Sequence, residues 1–222
     1  MIVELGAKGP YVRAVQRIVG VPASKVDGVC GPFTVAIIEA WQTKHGVEPD
    51  GVFGPLSRAA TDPNAFVQAY EGLVLQAYDD ARGPLAPRLL TWEHGVWRRA
   101  DGALCIGNPT IGCGTRIWPG QEESRQRCTK QQADQWLQEF ITNQLGDKLA
   151  KYLPADADNA KRAAIIALGY NGGPGAIVDA ANAGFDPTWW TQHYTTAYHH
   201  VVDAGLVMRR LEEAALWCAG DV

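Results

Sequence analysis

The stretch that decides the fold of this chain runs Glu71-Gly72-Leu73-Val74-Leu75-Gln76-Ala77-Tyr78-Asp79-Asp80. It follows a helical pattern in which Phe66 and Tyr70 recur on one apolar face, so we expect Glu71 near the end of a helix. A carboxylate in that place, beside a glycine, can be half-buried, which suits a general acid. Asp80 comes past the next turn and can face Glu71 across a cleft.

An acid pair at this spacing is, by itself, more often plain surface charge than a catalytic pair. Further motifs follow in order along the chain: Thr110-Ile111-Gly112-Cys113-Gly114, then Tyr170-Asn171-Gly172-Gly173-Pro174-Gly175-Ala176, then Gly205-Leu206-Val207-Met208-Arg209-Arg210-Leu211-Glu212-Glu213. With the stretch 71–80, these motifs resemble the signature of phage-type lysozymes, glycoside hydrolase family 24. The resemblance implies that Glu71 is the catalytic acid, Asp80 the water-activating base, and Thr110 a helper that holds the water.

The chain departs from the family pattern at this site. Thr115 stands where the family has a histidine after Thr-Ile-Gly-x-Gly, and the segment between Asp80 and Thr110 is much longer than in relatives. That segment brings Glu93 as a rival carboxylate for the base role. Asp79 is a further competitor, disfavoured because the family reads Tyr-x-Asp.

The long segment also carries aromatic side chains and a turn signal. Asp101-Gly102 is typical of a hairpin turn. Trp92 and Trp97 could stack on sugar rings, although aromatic residues of a hairpin are more often packing residues. We expect packing for both.

An internal repeat marks the N-terminal part of the chain. Asp27-Gly28-Val29-Cys30-Gly31-Pro32 returns as Asp50-Gly51-Val52-Phe53-Gly54-Pro55. Asp-Gly forms a tight turn, and we expect Thr34 and Ser57 to cap the helices that follow. Residues 4–60 resemble the small three-helix peptidoglycan-binding domain of cell-wall hydrolases. The resemblance implies a wall-binding module but identifies no single binding residue.

The polar segment Thr61-Asp62-Pro63-Asn64 is the predicted boundary between two domains. We therefore predict a mainly α chain. Residues 1–62 form an N-terminal three-helix peptidoglycan-binding bundle, and residues 63–222 form a C-terminal α+β muramidase domain, similar to phage-type lysozymes, with a small β-hairpin region. In the latter, Thr129-Lys130-Gln131-Gln132 is a capping box and residues 163–168 are an apolar core helix.

Composition excludes several classes of partner. A net charge of −4 and a pI near 5.7 offer no basic surface for nucleic acid. No apolar stretch approaches the ~20 residues of a spanning helix, so we expect no membrane insertion. The five cysteines include no CxxC pair, so we expect no metal and no cofactor. We also expect a monomer.

The start of the chain has neither the basic nor the apolar region of a signal peptide. With the lysozyme resemblance, this predicts storage in the host cytoplasm until a holin-type pore releases the protein to the cell wall.

The resemblance implies a modular endolysin that hydrolyses the β-1,4 bond between N-acetylmuramic acid and N-acetylglucosamine and so lyses the host. Two alternatives stay open. A lytic transglycosylase of the same fold needs the acid but no base, and the presence of Asp80 and Thr110 argues against it. A wall-binding protein with a dead catalytic domain is disfavoured by the intact Glu71.

Overall fold

A computed structural model of the chain describes residues 2–81, 85–197 and 201–219, except for the side chains of residues 196, 197 and 201. In chain order the helices are α1 (Pro10–Ile18), α2 (Pro32–Lys44), α3 (Pro55–Ala59), α4 (Ala65–Glu71), α5 (Leu85–Arg88), α6 (Lys130–Phe140), α7 (Gly146–Tyr152), α8 (Asn159–Gly172), α9 (Pro174–Asn182), α10 (Pro187–Gln192) and α11 (Ala204–Cys218). The strands are β1 (Val74–Asp79), β2 (Leu90–Glu93), β3 (Val96–Arg99), β4 (Pro109–Gly112), β5 (Thr115–Arg116), β6 (Thr196–Ala197) and β7 (Val201–Val202). The predicted mainly α fold with a small β-hairpin region is confirmed.

The chain forms two compact units. The first joins Met1–Tyr70 with Asn143–Val222, and the second consists of Glu71–Thr142. These units divide the chain at other positions than the sequence modules 1–62 and 63–222, which remain a prediction. No helix of the described residues is both long and apolar enough to cross a membrane.

In the first unit, the first copy of the repeat folds around one buried glutamine. The side-chain amide N–H of Gln16 donates to Asp27 Oδ1 at 2.9 Å, the Val29 carbonyl at 3.1 Å and Thr34 Oγ1 at 3.1 Å. Its carbonyl Oε1 accepts from the Gly28 N–H at 2.9 Å. Gln16 therefore uses its donors and its acceptor to hold the Asp-Gly turn against the following helix.

Gln42 repeats this arrangement in the second copy. Its amide contacts Asp50 Oδ1 at 2.7 Å, the Val52 carbonyl at 3.0 Å, Ser57 Oγ at 3.2 Å and the Gly51 N–H at 3.0 Å. The sequence repeat is thus a repeat of one hydrogen-bonded unit.

The predicted helix caps of the repeat are wrong. The N-cap positions of α2 and α3 are Gly31 and Gly54, neither of which caps with a side chain, and a proline follows each glycine. Proline fits the first helical position because its missing N–H would have no partner within the helix. Thr34 and Ser57 lie two residues further on, where their hydroxyls bind the buried glutamines instead.

A fully buried carboxylate joins the two ends of the chain within the first unit. Glu212 of α11 accepts from Arg13 Nε at 2.9 Å and Arg17 Nε at 2.7 Å, both on α1, and from the Tyr70 hydroxyl. The Arg17 guanidinium also lies over the Tyr70 ring, 4.2 Å from its centroid. Residues of the N-terminal module are therefore the charge partners of the C-terminal helix.

The neighbouring Glu213 is also fully buried. Arg209 Nε lies 3.1 Å and Arg210 3.0 Å from its carboxylate oxygens, and Trp190 Nε1 donates to it at 3.2 Å. Burial raises the pKa of Glu213, although the two guanidiniums oppose the shift. Arg209 and Arg210 therefore hold a buried carboxylate of α11.

The apolar helix predicted at 163–168 is confirmed as the buried part of α8.

The second unit carries the small strands. β1, β4 and β5 form an antiparallel sheet in that spatial order, with Tyr78 opposite Thr110 and Asp79 opposite Pro109. β2 and β3 form a separate hairpin. The capping box predicted at Thr129 is present and begins α6.

Substituting both Arg13 and Arg17 by methionine should lower the free energy of unfolding by about 3–5 kcal/mol, because Glu212 then remains buried without its two arginine partners. Urea denaturation followed by tryptophan fluorescence measures the change. The control is Lys130→Met, which removes one partner of the exposed Lys130–Asp134 pair and should change the value by less than about 1 kcal/mol. Equal effects would contradict the assignment of Glu212 as a buried charge held by α1.

Candidate active site

The end of α4 positions Glu71. Glu71 is the last residue of this helix, and its side chain is half-buried, as the sequence predicts. Gly72 follows with φ 69°, a left-handed conformation that glycine adopts at little energetic expense. The chain therefore leaves the helix directly after Glu71 and enters β1.

Tyr78 lies within electrostatic reach of both predicted catalytic carboxylates. Burial raises the pKa of its phenol to about 12, and the charges of Glu71 and Asp80 add to this shift, while Arg88 opposes it. The Arg88 guanidinium lies 5.8 Å from the centroid of the tyrosine ring. The phenol therefore stays neutral at physiological pH beside Glu71 and Asp80.

Asp80 is exposed at the end of β1, and one residue binds both of its carboxylate oxygens. Asn108 donates its backbone N–H to Oδ1 at 2.6 Å and its side-chain amide to Oδ2 at 2.8 Å. The Asp80 N–H donates back to the Asn108 carbonyl at 3.1 Å. A carboxylate oxygen can accept more than one hydrogen bond, so both oxygens of Asp80 can still accept from a water.

Thr110 lies on β4 with only 5% of its surface exposed. Its hydroxyl donates to the same Asn108 carbonyl, with 3.1 Å between the oxygens. Because the hydroxyl proton is used in that bond, the oxygen lone pairs are directed elsewhere and can accept from a water. The structure thus brings Asp80 and Thr110 together around Asn108.

The rival carboxylate Asp79 is fully buried and its oxygens are occupied. Oδ1 accepts the N–H groups of Ala81 and Gly107, and Oδ2 accepts that of Ile106, each at 2.9 Å. Burial alone would raise the pKa of Asp79, but these three donors, helped by Arg99, hold it below its ordinary value. Asp79 is therefore a charged anchor for the backbone and has no access to a substrate.

The other rival, Glu93, is exposed at the end of β2. The turn after it is formed by His94 and Gly95, with φ angles of 51° and 79°, as in the type I′ turns that match strand twist. This turn joins β2 to β3, whereas Asp101-Gly102 forms a second turn after β3, in which Gly102 N–H donates to the Arg99 carbonyl.

The two tryptophans of the hairpin pack as predicted. Their ring centroids are 5.3 Å apart, and Trp97 belongs to the buried cluster of Ala77, Leu90, Ile111 and Ile117. Trp92 is partly buried against the same cluster. Thr115, at the position of the family's histidine, lies on β5 and is partly exposed.

Sequence reasoning missed Asn108 and Gly107. A side chain at Gly107 would displace its neighbours, because an added Cβ would lie 2.1 Å from Asp80 Oδ1, 2.5 Å from Asp79 Oδ1 and 2.8 Å from the Ala81 backbone nitrogen. The signal was the Gly-Asn-Pro run directly before Thr110, which reads as turn-forming residues. Nothing in that run indicates which carboxylate it contacts.

Within the described ranges, no group of three or more histidine, cysteine or acidic side chains is arranged to hold a metal ion. None of the five cysteines, all of which lie in the described ranges, forms a disulfide. The first residues of the long segment, 82–84, lie outside the described part.

Comparison with known proteins gives a family match. Residues 93–213, more than half of the chain, match the family model described as phage lysozyme, a span that contains Thr110 and begins after Glu71 and Asp80. An uncharacterized protein in the bpoA1 3′ region of Kitasatospora aureofaciens is 49% identical over 37 residues, which are 17% of this chain. The match spans 31% of that relative's length. An endolysin from Escherichia coli O157:H7 phage FAHEc1 is 21% identical, with a TM-score of 0.45, over 68% of this chain and 87% of that chain.

Replacing Asp79 with asparagine should destabilise the fold and remove part of its acid sensitivity. Because the pKa of Asp79 is lowered in the folded state, its charge stabilises the fold above the ordinary value of 3.8, and this stabilisation is lost as the pH falls further. At pH 7, Asp79→Asn should lower the free energy of unfolding by about 1–3 kcal/mol, because the new amide N–H groups face backbone donors.

Denaturation at a series of pH values measures both effects. The matched control is Asp156→Asn, which removes the same charge from an exposed position. If the two variants show the same stability and pH dependence, the Asp79 carboxylate does not stabilise the backbone around it.

Proposed function

Because the chain belongs to the phage lysozyme family, a family of lysozyme-type enzymes, we propose that it is a peptidoglycan-hydrolysing endolysin. The bond it cleaves is the β-1,4 link between N-acetylmuramic acid and N-acetylglucosamine. The observation that carries this proposal is the pairing of an exposed carboxylate, Asp80, with the Thr110 hydroxyl through one residue, Asn108. Such a pair can hold a water molecule, which hydrolysis requires.

Glu71 is the proposed general acid. It would protonate the glycosidic oxygen as the bond to the leaving sugar breaks, which removes the negative charge from the leaving group. The half-buried position at the end of α4 limits competing water around the carboxyl group.

Asp80 is the proposed base. It would accept a proton from a water that attacks the anomeric carbon on the face opposite to the leaving group. The Thr110 oxygen would accept a hydrogen bond from the same water and so help to orient it. A single displacement of this kind inverts the anomeric configuration. The carboxyl groups of an inverting pair are about 6.5–9.5 Å apart, which leaves room for the water.

The N-terminal module, residues 1–62, is the proposed wall-binding part. Its two repeat turns resemble those of peptidoglycan-binding domains, and glycan strands are the partner expected from that resemblance. Storage in the host cytoplasm and release by a holin-type pore, followed by host lysis, complete the proposal.

Digestion of purified peptidoglycan should release reducing N-acetylmuramic acid ends, first as the α-anomer, with no anhydro ends. Mass spectrometry identifies the ends, and proton NMR of fresh digests identifies the anomer before mutarotation. Glu71→Gln keeps the shape but lacks the acidic proton, so turnover should fall by on the order of 10³-fold or more. Anhydro ends would indicate a transglycosylase instead, and a first-formed β-anomer would reject single displacement.

Comparing Asp80→Asn with Glu93→Gln tests the identity of the base. Asp80→Asn should lower kcat about 10²-fold or more, because the amide cannot take the proton from water. Glu93→Gln makes the same change at an exposed turn and should leave kcat within about 2-fold. The reverse result would move the base role to Glu93.

A further inference from the structure

The segment Ile106–Asn108 binds two neighbouring carboxylates, that of Asp79 at the end of β1 and that of Asp80 directly after the strand. It lies at the end of the long stretch that separates Asp80 from Thr110. Three successive backbone N–H groups point at them: those of Ile106 and Gly107 at Asp79, and that of Asn108 at Asp80. This segment is therefore fixed against the site at every residue.

Asp79 provides the fixed end of this arrangement. It is fully buried, it accepts from both Ile106 and Gly107, and Arg99 lies 3.9 Å from its carboxylate. Gly107 lets the backbone come this close, because any Cβ there would collide with both carboxylates. The position of Asn108 thus follows from backbone contacts to a buried carboxylate, although Asn108 itself is only half-buried.

Asn108 is the point at which this anchored segment reaches the reacting groups. Its backbone and side-chain N–H groups bind the two oxygens of Asp80, and its carbonyl accepts from the Thr110 hydroxyl. An exposed aspartate without such partners rotates about its side-chain bonds. Two donors, one on each oxygen, set the plane of the carboxylate relative to the Thr110 oxygen.

We propose that Asn108 is a positioning residue for hydrolysis, which acts by orienting the Asp80 carboxylate toward the water that Asp80 and Thr110 share. The proposal rests on the proposed function, in which Asp80 is the base. It gives the long segment between Asp80 and Thr110 a role: it delivers the residue that aligns the base. Asp79 does not contact Asn108 through these bonds; it holds the backbone of Ile106 and Gly107, and so fixes the position of Asn108.

A double-mutant cycle in the full chain tests this role. Asn108→Ala should lower kcat on soluble peptidoglycan fragments by about 10-fold or more, the effect of losing one hydrogen bond to a charged group. KM should stay nearly constant, since in the proposed role Asn108 acts on the Asp80 carboxylate rather than on the substrate. Within the Asp80→Asn background, the same substitution should change kcat by less than about 2-fold, because the carboxylate it orients is gone.

Two further variants make the result interpretable. Asn108→Ser provides a smaller change if the alanine variant does not fold, as judged by its thermal unfolding midpoint, and should show the same dependence on Asp80. Asn182→Ala removes an exposed asparagine at the end of α9 and should leave kcat unchanged.

The outcomes separate this proposal from the proposed function. Unchanged kcat in the Asn108 variants, or equal losses with and without the Asp80 carboxylate, would overturn the positioning role while leaving Asp80 as the base. Full activity of Asp80→Asn alone would instead reject the proposed mechanism, and the role of Asn108 with it.

Discussion

The antiparallel pairing of β1 with β4 is the constraint on which the candidate site depends. It places Tyr78 opposite Thr110 and Asp79 opposite Pro109, so residues far apart in sequence meet at the end of one short strand pair. The chain that returns from the long segment must then pass the end of β1. Its backbone N–H groups find acceptors there in two adjacent carboxylates.

Those two carboxylates show how burial gives one residue type two roles. Asp79, the last residue of β1, is fully buried and satisfied by backbone donors, while Asp80, directly after the strand, is exposed and binds Asn108. A buried charge with several donors is suited to holding structure. An exposed one with free lone pairs is suited to chemistry in water.

The first compact unit depends on buried charges of another kind. Glu212 of α11 is neutralised by arginines of α1, so the N-terminal module and the C-terminal helix share one electrostatic cluster. Removing part of such a cluster leaves an uncompensated charge. A module that resembles an independent wall-binding domain is therefore also a structural part of this unit.

The sequence by itself determined the mainly α fold, the repeat and the capping box of α6, because these depend on local spacing. The roles of Glu71, Asp80 and Thr110 are proposals that come from motif order. Except by analogy with the family, the sequence could not distinguish the buried Asp79 from the exposed Asp80. It also predicted, wrongly, that Thr34 and Ser57 cap helices. The partners of these residues are Gln16 and Gln42, reached only through helix packing. Only the tertiary structure decided that Asn108 meets Asp80 and that Glu212 meets α1, since such contacts depend on which distant backbone passes a given side chain.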